Sequence, residues 1–114
     1  MWQYGTIERV AKQIEVSLKI PQNRKNPLLQ EGYPIDMAMV RFRKAMNVEA
    51  IPRPGEVLQL SAANETLRAT VVRADWSDAK GLFVVTCQYG LRSIPNHEQD
   101  ALVADPDWRL EPLI

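Results

Sequence analysis

The sequence predicts a mainly β (or α+β) fold, a small antiparallel barrel or roll of five to six short strands with one short helix. Three observations carry that expectation. Residues Gln13–Ile20 alternate strictly, with Ile14, Val16, Leu18 and Ile20 set against Gln13, Glu15, Ser17 and Lys19. That period of two, rich in β-branched side chains, belongs to a half-buried strand. Later in the chain, three apolar segments are joined by short polar connections, the pattern of an antiparallel meander. Finally, prolines at 21, 27, 34, 52, 54, 95, 106 and 112 punctuate the chain and bound its regular elements.

Taken in order, the first strand ends at Pro21. The stretch Pro21–Pro34 (PQNRKNPLLQEGYP) is rich in Pro, Asn, Gln and charge and reads as a long connection, a type that tends to be functional or mobile. Ile35–Met46 supports two readings. As a helix, Ile35, Met39, Phe42 and Met46 share a face, and Asp36 precedes Arg43 and Lys44 as the macrodipole prefers. As a strand, Ala38, Val40 and Phe42 face inward and Met39, Arg41 and Arg43 outward. The strand is preferred because it pairs naturally with Gln13–Ile20 and continues the β pattern that follows.

Pro54-Gly55 predicts a turn into a strand over Glu56–Leu60. Ser61–Thr66 (SAANET) reads as a polar loop, Leu67–Trp76 as a long strand, Ser77–Gly81 (SDAKG) as a turn and Leu82–Tyr89 as the answering strand. A short segment, Leu91–Ile94, leads to Pro95. Asn96, with Gln99 three residues later, has the spacing of a capping box opening a helix over His97–Val103. Asp105-Pro106-Asp107 is a turn, and a last strand starts at Trp108-Arg109-Leu110. The layout Pro54-Gly55-Glu56-Val57-Leu58-x-Leu60 followed by strand, turn and strand resembles that of SH3-like small barrels over residues 54–110, without a diagnostic family motif.

A chain of 114 residues is expected to form one domain, a single β-rich unit over 1–114, and to need no metal or disulfide to fold. Its 46% hydrophobic and 25% charged residues are those of a globular protein. One Cys and one His make neither a disulfide nor a His/Cys zinc site. No export signal is evident in Met1–Arg9, no apolar run exceeds the four residues of Leu82-Phe83-Val84-Val85, and Glu111-Pro112-Leu113-Ile114 carries no lipidation pattern. A cytoplasmic setting without membrane attachment is therefore expected.

Each chemical candidate has a plain structural alternative. Cys87 shares a strand face with Phe83, Val85 and Tyr89, so it reads as a core thiol rather than a nucleophile. His97 lies in the polar run Asn96–Asp100, with no second His at zincin spacing, and reads as a solvated side chain. No Gly-x-Ser-x-Gly elbow occurs, and the glycines at 5, 32, 55, 81 and 90 build no phosphate cradle. Asp105 and Asp107 flank Pro106 and read as turn residues rather than calcium ligands. No catalytic residue, cofactor or metal is therefore expected.

Basic residues gather early, and Phe42 stands between Arg41 and Arg43 with Tyr33 nearby, a composition suited to a phosphate-tracking groove with a stacking platform. Zero net charge argues against that use, since counterion release supplies most nucleic-acid affinity. The neutrality conceals an asymmetry: residues 1–60 hold nine basic and six acidic side chains, and residues 61–114 hold five and eight. Trp2, Trp76 and Trp108 suit either a lid on the core or an anchor at an interface. The expectation is a non-enzymatic module for protein association, with itself or another chain, with Tyr33, Arg41, Arg43, Trp76 and Trp108 as its binding residues. The alternative is a single-stranded nucleic-acid-binding small β-barrel.

Overall fold

The computed structural model describes residues 12–111. Trp2 lies outside them with the rest of residues 1–11, as do residues 112–114. A little over half of the described residues lie in strands, so the mainly β class holds. In chain order these are β1 (Lys12–Pro21), β2 (Leu29–Gln30), β3 (Tyr33–Pro34), β4 (Met39–Val48), β5 (Val57–Ala62), β6 (Glu65–Ser77) and β7 (Leu82–Tyr89). The helix α1 (Asn96–Ala104) and the strand β8 (Arg109–Glu111) follow.

Six strands form one curled, half-barrel sheet in the order β5-β6-β7-β1-β4-β8, while β2 and β3 make a separate two-stranded ribbon. The expected all-antiparallel arrangement needs correction. β1 pairs antiparallel with β4 but parallel with β7, in the register Ile14 to Phe83 and Leu18 to Cys87. The reason is topological. After β4 the chain crosses to the far edge, and the meander β5-β6-β7 then works back toward β1. Its third strand arrives running the same way as the first.

Alternation places the core. Ile14, Val16, Leu18 and Ile20 of β1 are fully buried, joined by Val40 and Phe42 from β4, Leu67, Ala69 and Val71 from β6, and Val85 and Cys87 from β7. Ile35–Met46 resolves into a strand that starts at Met39 and continues to Val48. Pairing along all ten residues of β1 satisfies its backbone, an outcome a helix here would forgo. Val40 and Phe42 face inward as expected, whereas Ala38 is exposed and precedes the strand.

Two local expectations also change. Ser61–Thr66 is not a loop: both strands run into it, and Ala62 pairs with Glu65 across a two-residue turn. Ala63 takes the left-handed conformation there (φ 49°), which costs energy for a residue with a Cβ. Its N–H donates to Asp105 Oδ2 at 2.9 Å, a bond that helps hold the turn. At α1, Pro95 occupies the N-cap and no side chain caps the helix. Asn96 instead accepts a bond from Asn23 Nδ2 at 2.7 Å.

The long connection after β1 is held by side-chain amides. Gln22 Nε2 donates to the carbonyls of Ile35 and Met37, and its Oε1 accepts the N–H of Leu28. Asn23 Nδ2 donates to Ile94 O, tying the loop to the start of α1. Gln99 is completely buried: its Oε1 accepts the N–H of Asn23 at 2.9 Å and its Nε2 donates to Asn26 O at 2.6 Å. These amides replace the ladder bonds that an irregular segment lacks. Replacing Gln99 with Ala removes the partner of both half-buried backbone groups. The Gln99→Ala variant should lose about 1–3 kcal/mol of stability, read as a lowered urea midpoint at unchanged slope.

Candidate functional site

The outer face of β1 carries the densest charge cluster. Glu15 is buried beneath Arg43 and Lys80, both of which hydrogen-bond its Oε1, with Lys80 Nζ at 2.6 Å. Arg43 also reaches Glu111 of β8, its Nε lying 2.8 Å from Oε2 at ion-pair distance but off the hydrogen-bond direction. Arg41 Nη1 stands 3.6 Å from the same carboxylate. Burial alone would raise the Glu15 pKa, but the bonds and charges of Lys80 and Arg43 outweigh it and hold the carboxyl below its usual value. This cluster clips β8 and the β6–β7 turn onto the sheet.

A second set of contacts draws the curled sheet toward closure. Ser61 O at the end of β5 accepts from Trp108 Nε1 at 2.9 Å and from Lys44 Nζ at 3.2 Å, and Lys44 also sits 5.4 Å from the center of the Trp108 ring. Trp108 is only 4% exposed. It closes the core between β5 and β8, as a lid rather than an accessible anchor.

The remaining binding candidates are spread widely. Tyr33 stands free on the β2–β3 ribbon at 76% exposure, far in sequence and topology from Trp76. Arg41 and Arg43 are tied to Glu111 and Glu15. Phe42, pictured above as a stacking platform between them, points the opposite way into the core, because neighbors on a strand alternate faces. Of the five, Arg41 and Arg43 meet at Glu111, Trp108 is buried, and Tyr33 and Trp76 are exposed on different strands.

The groups read as chemically ordinary occupy ordinary surroundings. Cys87 is fully buried, and that burial pushes its thiol up to about 11. His97 is exposed, its Nδ1 3.1 Å from Glu65 Oε1. Among the described residues no three His, Cys, Asp or Glu side chains gather as metal ligands. A concavity of about 380 Å³ between β6 and the start of α1 is lined by Val57, Arg68, Tyr89 and Leu91, with the Tyr89 hydroxyl donating to Glu98 Oε1 at 2.6 Å. Burial, reinforced by that carboxylate, drives the Tyr89 pKa far up, so the phenol stays a neutral donor.

The feature that sequence reasoning missed is an edge. β5 pairs only with residues 65–70 of β6, and Gly55 and Glu56 extend the contact to Val71. From Val72 to Ser77, β6 has no strand on that side among the described residues, while its other side pairs with β7. The overhang carries Val72 at 48% exposure and Trp76 at 54%. Trp76 packs edge-on against Phe83, ring centers 5.3 Å apart, and donates its Nε1 to Asp78 Oδ1 at 2.7 Å. The unequal strand lengths, 6 residues against 13, are the signal.

No protein-family model, curated protein or solved structure matches the chain. Among the described residues no helix is long and apolar enough to cross a membrane.

The charge cluster makes a pH-dependent contribution with a defined sign. A carboxyl whose folded pKa is depressed stabilizes the fold above its unfolded pKa and loses that contribution as pH falls through the folded value. The acid limb of stability against pH should therefore be shallower in Glu15→Gln than in the unsubstituted chain. Urea titrations between pH 3 and pH 7, a window of roughly the carboxyl range, read the difference.

Proposed function

We propose that this chain is a non-enzymatic β module that works by protein association, and that the open edge of β6 is its docking element. The observation that carries this reading is the overhang Val72–Ser77, an unflanked strand edge bearing an exposed Val and an exposed Trp. Unpaired backbone donors and acceptors along an edge are a template for another strand, and natural proteins ordinarily shorten or cover such edges. Trp is also the side chain most often found as the energetic center of an interface. Of the residues expected to bind, Trp76 is the one this surface employs.

Native mass spectrometry of the protein purified gently from its own cells tests the reading. A complex should appear, either a second copy or another chain, and Trp76→Lys should remove it while circular dichroism stays unchanged. A monomer throughout would overturn it.

A second reading keeps the nucleic-acid alternative on a different surface. Arg24, Lys25 and Arg92 line one open concavity of about 570 Å³ without an acidic neighbor in its walls, and none of the three makes an ion pair among the described residues. Retention on heparin that weakens steeply with salt, and that falls in Arg24→Ala and Arg92→Ala, would support it. Passage through heparin at low salt would remove it.

A further inference from the structure

We propose that the partner of the β6 edge is a second copy of this chain, joined by antiparallel pairing of the two overhangs about a two-fold axis at Ala74. This deepens the association reading and rests on it. The argument comes from register. In an antiparallel pair centered on residue 74, Ala74 meets its own counterpart and Arg73 of each copy lies opposite Asp75 of the other. Within one chain Arg73 Nε and Asp75 Oδ2 already sit 3.0 Å apart with both side chains about two-thirds exposed. They share the outer face of the strand, and across the axis the two pairs merge into one alternating cluster of four charges. A two-fold center that brought like charges together would be opposed; this one brings unlike charges together.

The other face agrees. Ala74 pairs with Val85 of β7 and Trp76 with Phe83, so both lie on the inner face. Pairing brings Trp76 of each copy toward the Val72 end of the other, covering apolar surface that the single chain leaves in water. A small side chain stands where two copies approach most closely. The β-bulge between Val71 and Arg73 and the charged pair are devices that protect edges from indiscriminate pairing. Here the charges are of both signs and placed so that a copy in this register is accepted. Six residues a side is a small contact, so the dimer is weak and concentration dependent.

The test uses light scattering and disulfide trapping on the full chain. Mass should rise toward that of a dimer over a hundredfold concentration range ending at about 200 µM, where weak association is populated. Ala74→Cys should cross-link under mild oxidation, since paired residues approach within disulfide reach. Thr70→Cys, on the part of β6 already paired with β5, should not. The native Cys87 is buried and stays out of the reaction. Arg73→Asp should abolish the dimer, and Arg73→Asp with Asp75→Arg in one chain should restore it, which a merely destabilizing change would not do. A monomer at the highest concentration overturns self-pairing. If native mass spectrometry then finds a different chain bound at this edge, the association reading stands without it; if nothing is bound, both fall. A dimer in which Ala74→Cys fails to cross-link overturns the register and with it the proposal.

Discussion

Strand β1 imposes the constraint from which the rest of the molecule follows: it lies inside the sheet, with neighbors on both sides and cover on both faces. Ile14 through Leu18 are buried in succession, polar and apolar alike. The inward set meets the core. In the outward set Gln13 and Lys19 reach water but Glu15 and Ser17 do not, so Glu15 is buried as a charge, and an isolated buried carboxylate is costly. Arg43 from one neighbor strand and Lys80 from the β6–β7 turn meet that requirement. The two cations cover the strand and, in doing so, fix where β8 and the turn may lie.

Having an interior first strand also explains the mixed sheet and the irregular connection. β4 takes one side of β1 at once, so the other side waits for β7, the last strand of the meander. The segment between β1 and β4 must span the end of the sheet with only the short β2–β3 ribbon as a ladder. Gln22, Asn23 and Gln99 supply the missing hydrogen bonds, which converts a stretch composed like a mobile loop into a fixed wall against α1. Ser61 O, accepting from both Trp108 and Lys44, does the same for the gap between β5 and β8.

These devices secure one side of the molecule and leave another open. The edges at β5 and β8 are short, six and three residues, and the hairpin turn at Ala63 is bonded to Asp105. β4 also outruns β8, which pairs only with Arg41–Arg43, but the overhang of β6 is the one that carries large exposed apolar side chains, Val72 and Trp76. The proposal of association takes its support from that contrast.

The sequence by itself determined the elements whose signal is local. Alternation in Gln13–Ile20 marked β1, the polar turn at Ser77–Gly81 marked the β6–β7 hairpin, and the apolar face of Phe83, Val85 and Cys87 marked Cys87 as a core thiol. Trp108 as a lid was one of its two available readings. Only the tertiary structure decided the rest, because the determining partners are distant in the chain. The parallel pairing of β1 with β7 depends on a crossover, and the burial of Glu15 on two cations 28 and 65 residues away. Gln99 looked like half of a capping box, yet bonds to residues more than seventy positions earlier. The open edge of β6 is a relation between two strand lengths, so no single residue announces it. Periodicity shows which face of a strand is dry; which strand lies beside it depends on long-range packing that periodicity does not encode.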